Sequence, residues 1–238
     1  MIGTLVNTAA VVLGALIGLL LKKGIPERIN NAIIKVEGIA ICIIALNGIL
    51  VSMFTVADGR LKDDGGLLLL ISLVLGCVLG EAVRLSDRLD QFGRFIESKF
   101  RASNFARGFV NTSLIICIGA MAIIGALNDG LTGDSSVLFM KAAIDFITCI
   151  VLAASLGIGV AFAAIPVFLL QGGVALLAKQ LAPFLTDPLL NSICMVGYTL
   201  VLLIGINFLL DTKIKVANVL PAMAVPVIYH LAILPLFG

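Results

Sequence analysis

The chain has 238 residues, 61% of them hydrophobic and 13% charged, with a mean hydropathy of +1.18. Soluble domains carry about a quarter charged residues and near-half apolar ones, so this composition excludes a water-soluble core. The net charge of +2 is small, and the positions of the charges along the chain carry more information than their sum.

The apolar residues form continuous runs of roughly 18 to 24 residues, the length a helix needs to cross ~30 Å of hydrocarbon at 1.5 Å per residue. They lack the in–out alternation of a membrane barrel. The expectation is an all-α polytopic transmembrane bundle of about eight spans, one integral membrane domain over 1–238. The five cysteines (Cys42, Cys77, Cys117, Cys149, Cys194) lie singly in separate runs, as small buried hydrophobes rather than a metal site or disulfide framework. No metal or cofactor is expected.

The first span covers about Ile2 to Leu21. It follows Met1 without a basic region and ends in Lys22 and Lys23 without a small-residue cleavage site, so it reads as a retained span and not a signal peptide. Gly14 and Gly18 form a GxxxG for close helix approach, and Asn7 is an amide suited to an interhelical hydrogen bond. The second span, about Ala32 to Phe54, carries Lys35, Glu37 and the deeper Asn47, and a polar, turn-rich loop, ADGRLKDDGG, follows it. The third, about Leu67 to Val83, repeats the first: VLGCVLGE against VLGALIGL.

From about 85 to 107 the pattern changes. Leu85, Leu89, Phe92, Ile96 and Phe100 recur every three or four residues among Arg84, Arg88, Arg94, Lys99, Arg101 and Arg107. This predicts a basic amphipathic helix on an anionic membrane surface, with lipid as its partner and nucleic acid a poor alternative. The fourth span, about Phe109 to Leu127, leads into the polar segment GALNDGLTGDSSVLFMKAAID. The fifth, about Ala142 to Ala161, and sixth, about Ile165 to Leu181, are divided by Gly157, Gly159 and Pro166. Their combined length is about twice what one bilayer requires, which favours two spans over one kinked helix. The seventh, about Leu189 to Leu210, ends at DTKIK. In the eighth, about Ala217 to Phe237, Pro221, Pro226 and Pro235 predict a broken helix, with His230 in an interfacial hydrogen bond.

With eight spans and both termini outside, twelve of the sixteen Lys and Arg residues lie inside; Arg60, Lys62, Lys141 and Lys179 lie outside. A small-(Leu/Ile)-Asn triplet recurs at Ala45-Leu46-Asn47, Ala126-Leu127-Asn128 and Gly205-Ile206-Asn207. Such similarity between helices of opposite direction suggests inverted repeats of the kind secondary transporters use.

The polar segment holds the strongest site candidates: Asn128, Asp129, Asp134, Lys141 and Asp145, with Gly130 and Gly133 to turn the backbone. Asp145 lies four residues after Lys141, so a helix puts the two charges on one face. Ionisable groups inside a span are costly unless paired, which marks them as functional candidates. Asn47, Asn128 and Asn207 are expected as amide ligands beside them; the competing reading of Lys141 and Asp145 is an ion pair that locks helices together.

Over nearly its whole length the chain resembles the domain-of-unknown-function 554 family of bacterial integral membrane proteins. The resemblance rests on IGTLVNTAAVVLGALIG followed by IPERIN, on GALNDGLTGDSSVLFMKAAIDF, on SLGIGVAFAAIPV and on VANVLPA. It implies a bacterial cytoplasmic-membrane location and supplies no substrate. The residues favour a transporter or channel for a small ion or polar solute. A non-catalytic scaffold or sensor working through the basic helix is the alternative. No HExxH, GxSxG or P-loop pattern is present, so an enzyme is not expected. The GxxxG faces permit a homo-oligomer.

Overall fold

The computed structural model describes residues 1–22, 26–57, 59–63, 65–100, 105–118, 120–210 and 212–234. The chain runs through α1 (Ile2–Lys22), α2 (Glu27–Met53), β1 (Phe54–Ala57), β2 (Arg60–Asp63), α3 (Gly66–Val83) and α4 (Leu85–Phe100). It continues through α5 (Phe105–Cys117), α6 (Ala120–Leu131), α7 (Ser136–Leu156), α8 (Gly159–Phe162), α9 (Ala164–Leu176), α10 (Ala178–Leu181) and α11 (Asp187–Leu210). The last stretch is in pieces: α12 (Val216–Val219), a 3-10 turn at Leu220–Met223, α13 (Ala224–Ile228) and a π-turn at Tyr229–Ile233.

The protein is therefore a polytopic helical membrane protein. Among the described residues six helices are long and apolar enough to cross a bilayer, and a seventh span results if α5 and α6, bent by 63°, count as one. A shorter apolar stretch, Val216–Ala232, lies where the eighth span is expected. Its irregularity follows from Pro221 and Pro226, each of which lacks the amide that a regular helix would use. The stretch after Lys141 holds two span-length segments, α7 and α8–α9, as its length required; α7 stops at Gly157, whose φ of 87° suits a residue without Cβ.

The chain divides into two compact units, one of Met1–Ile34 with Leu89–Pro183, the other of Lys35–Arg88 with Phe184–Gly238. In the first unit α1 packs along α7. Gly14 and Gly18 face the carbonyl oxygens of Phe146 and Ile150, where any Cβ would collide with backbone. Gly3 meets Ser135 and Leu138, so the two helices run parallel. Val11 and Ala15 of α1 and Cys149 and Ala153 of α7 are fully buried between them.

The same unit explains the bent pair. Gly159, at the start of α8, lies against Phe105 and Phe109 at the start of α5, while Gly130, near the end of α6, lies against Ala175 at the end of α9 and Ala178 at the start of α10. Over its length α5–α6 thus keeps pace with α8–α9, an 18-residue span. A re-entrant loop would return to its starting side and could not do this.

In the second unit α2 and α11 are antiparallel: Gly38 faces Gly205, Phe208 and Leu209, and Gly48 faces Tyr198. Where the second span was expected to end at Phe54 and the loop ADGRLKDDGG to follow, β1 and β2 form an antiparallel hairpin in which Phe54 pairs with Asp63 and Ala57 with Arg60. The Asp58-Gly59 dipeptide, with Gly59 at φ 70°, is a hairpin signal that the loop reading passed over. Gly76 and Gly80 of α3 face Ala222 and Asn218 of the broken stretch, in antiparallel order. The glycine motif shared by α1 and α3 thus makes the same close backbone approach in opposite directions.

If α5–α6 crosses the membrane, single cysteines at Arg107 and Thr132 on a cysteine-free chain react with an impermeant maleimide from opposite sides of sealed vesicles. Labelling of both from one side would establish a re-entrant loop.

Candidate functional site

The expected charge pair forms. Lys141 Nζ donates to both Asp145 oxygens, at 2.9 Å to Oδ1 and 2.8 Å to Oδ2. Asn7 Nδ2 of α1 donates to Asp145 Oδ2 at 3.0 Å. All three side chains are buried, with Lys141 7%, Asp145 3% and Asn7 0% exposed. Asp145 is the tenth of the 21 residues of α7, roughly 14 Å from the helix start at 1.5 Å per residue, and therefore near the middle of a span. The i,i+4 spacing brings Lys141 to Asp145, and the Gly14–Gly18 contact brings Asn7 within reach of both. The asparagine expected to make an interhelical hydrogen bond makes it, to the carboxylate at the centre of the candidate site.

Further buried polar groups that sequence reasoning did not single out lie in the same unit. Thr4 is one turn before Asn7 on the same side of α1, and its hydroxyl oxygen has no hydrogen-bond partner. Neither do Asn7 Oδ1, the Thr112 hydroxyl of α5, or both amide atoms of Gln171 on α9. Gln171 is 1% exposed, and the next residue, Gly172, sits against Met1 and Thr4. The sequence signal was available: Gln171 is the one amide in the apolar run AIPVFLLQGGVALL. Unpartnered buried polar atoms are few in proteins and demand an explanation.

Asp129, near the end of α6, is a second buried carboxylate. Its Oδ1 accepts from the Met1 amino nitrogen at 2.9 Å and from the Ser135 hydroxyl at 2.7 Å. Asn128 is half-buried, and its carbonyl accepts from the Thr132 amide and hydroxyl, closing the end of α6. Asp134 is exposed, not part of the buried cluster. It accepts from the Ser136 amide at 3.0 Å, and that bond, with one from the Ser136 hydroxyl, holds its carboxyl below the ordinary aspartate value. Gly133 turns the backbone as expected, with φ 77°, but Gly130 does not: it is helical, and its missing Cβ admits the Ala175 carbonyl.

Two expected ligands belong to the second unit. Asn47 is exposed on α2. Asn207 closes the end of α11, accepting from Thr212 Oγ1 at 2.6 Å and the Ile214 amide at 3.1 Å while donating to the Ile214 carbonyl. Gly38 marks the level of Asn207 on the antiparallel partner, and Asn47 lies nine residues further along, about 14 Å away. The two amides cannot share one ligand. The triplets were expected on helices of opposite direction, and that antiparallel packing carries them to different depths.

The basic surface helix is α4, which ends at Phe100; Arg107 belongs to α5, and Arg101 lies outside the described residues. Arg88, Arg94 and Arg107 are exposed, and Lys99 lies in the last turn of α4. Arg84 forms the corner between α3 and α4, in the left-handed region at φ 53°. Among the described residues no three His, Cys, Asp or Glu side chains are grouped to hold a metal ion.

Breaking a buried pair leaves an uncompensated charge, whereas removing both partners is often near neutral. Lys141→Met should lower unfolding stability by about 3–5 kcal/mol, and adding Asp145→Leu should recover most of the loss, as read from thermal or SDS-induced unfolding. A double variant no more stable than the single one would show that the pair is not the source.

Comparison with known proteins places the whole chain. It is 33% identical over 227 residues to the protein of Bacillus subtilis (strain 168) named "Uncharacterized membrane protein YdfK", covering 95% of this chain and 94% of that one. It is 30% identical over 229 residues to "Uncharacterized protein YqgA" of Escherichia coli (strain K12), covering 93% of each. No solved structure matches. Residues 2–231 match the family described as "Protein of unknown function (DUF554)", and with the span pattern and the GALNDGLTGDSSVLFMKAAIDF segment this establishes that the chain belongs to that family.

Proposed function

We propose that the protein moves a small ion or polar solute across the bacterial cytoplasmic membrane, with Asp145, Lys141 and Asn7 at the centre of its binding site. The observation that carries this reading is a charged pair near the middle of a span, in a unit that also buries the unpartnered polar atoms of Thr4, Asn7, Thr112 and Gln171. An ion pair serving only to lock two helices has no use for those additional groups. A solute that offers hydrogen bonds or accepts oxygen ligands does. Carboxylate and amide oxygens replace a cation's water, and the Lys141 ammonium is the counter-ion such a cation displaces.

Orientation follows the basic residues. With both termini outside, Lys141 leaves the outer count, because it is buried in α7 rather than placed in a loop. The bias toward the inside is then stronger than the sequence count alone gave.

One observation favours a scaffold or sensor instead. Asp145 already accepts three hydrogen bonds, which satisfies it without a ligand. In that reading the exposed arginines of α4 contact lipid or a partner, and no catalytic role is assigned in either case.

The test is solid-supported-membrane recording on sealed liposomes, presented with cations, amino acids and organic acids, in parallel with Asp145→Asn. Transport predicts a current lost in an assembled variant and sensitive to membrane potential, each 100 mV being worth about 2.3 kcal/mol per charge moved. A variant that only unfolds more easily, with no current in either form, would favour the scaffold.

A further inference from the structure

The second unit contains a cleft of about 1280 Å³, larger than the roughly 300–1,000 Å³ of ordinary small-molecule pockets. One wall is the outward face of α3, with Leu67, Ile71, Leu75 and Val78; Val225 and Ile228 form the other. From Leu67 to Leu79 this wall follows α3 for about 18 Å, a little over half the ~30 Å hydrocarbon thickness. The cleft therefore has the depth of one leaflet.

Its polar residues gather at one end. Asp63 closes the hairpin, Asp187, Asn191 and Ser192 open α11, and His230 lies in the final π-turn. Asp63 is held in place by the amides of Gly65 and Gly66, at 3.0 and 2.8 Å, and Ser192 Oγ lies 2.9 Å from His230 Nε2. The described lining residues include two carboxylates and neither lysine nor arginine. Lys62 is the cross-strand partner of the lining residue Thr55 at the hairpin edge, so the mouth as a whole meets both signs of charge with the negative in excess.

We propose that this cleft is a lipid site selective for a zwitterionic aminophospholipid. One acyl chain lies along α3, and the headgroup ammonium meets Asp187 and Asp63. The phosphate oxygens accept from the Asn191 side-chain amide. An apolar trough alone would take any lipid or a second copy of the chain; the carboxylates at its mouth choose the occupant, because an anionic headgroup offers them nothing to pair with and repels them. The site is separate from the Asp145 cluster and does not depend on the transport reading.

The experiment reconstitutes the full chain in membranes containing equal phosphatidylethanolamine and phosphatidylglycerol with matched acyl chains, then counts retained lipids by native mass spectrometry. The wild-type chain should retain the ethanolamine lipid about tenfold over the glycerol lipid, a factor one good charged contact supplies. Asp187→Asn, which removes the charge and keeps the size of the side chain, should level the two. Ile71→Trp, on the outward face of α3, should reduce retention of both. Equal retention by the wild type, or preference for the anionic lipid, would overturn the proposal. So would a lipid-free dimer that Ile71→Trp disperses, which would assign the cleft to a second copy.

Discussion

The first unit depends on the backbone contact between α1 and α7. Lipid tails are as apolar as leucine, so no hydrophobic gain draws two such helices together in a bilayer. What remains is close packing and polar pairing, and both are present. Gly14 and Gly18 let α1 settle against the carbonyls of Phe146 and Ile150. At that separation Asn7 reaches Asp145, and the amide fixes the register of the two helices as well as their distance.

Span positions were legible because hydrophobic length is a strong and nearly local signal. The divided stretch after Lys141 and the interruption of the last helix by Pro221 and Pro226 were readable for the same reason: length and missing amides act residue by residue. The bend between α5 and α6 was not, since the sequence there reads as one apolar run and no proline marks a break. The hairpin was hidden because its strands are only four residues each, the first reading as the tail of the second span and the second as polar loop.

The candidate site was legible in part. Lys141 and Asp145 announce themselves, because the pairing partner lies one helical turn away on the same element. Asn7, on a helix more than a hundred residues distant, could be read as an interhelical amide but not assigned its partner. Thr4, Thr112 and Gln171 became informative only when three further helices were seen to bury them. Asn47 and Asn207 failed for the converse reason: a repeated triplet records local likeness, and antiparallel packing sends its two copies to different depths. Asp134 and Gly130 were drawn into the site by proximity in sequence, yet one is exposed just before α7 and the other packs α6 on α9.

The placement of both members of the ion pair on α7 bears on how the chain enters the membrane. An isolated lysine or aspartate at the centre of an inserting helix costs about 2.5–3.5 kcal/mol on translocon scales. Lys141 and Asp145 need no other element to neutralise each other, so α7 leaves the insertion machinery carrying its own counter-ion. α1 is made first and waits with Asn7 uncommitted until α7 arrives, 138 residues later at Asp145. Charge compensation is thus completed during synthesis, and recognition between the two helices is left to assembly within the bilayer.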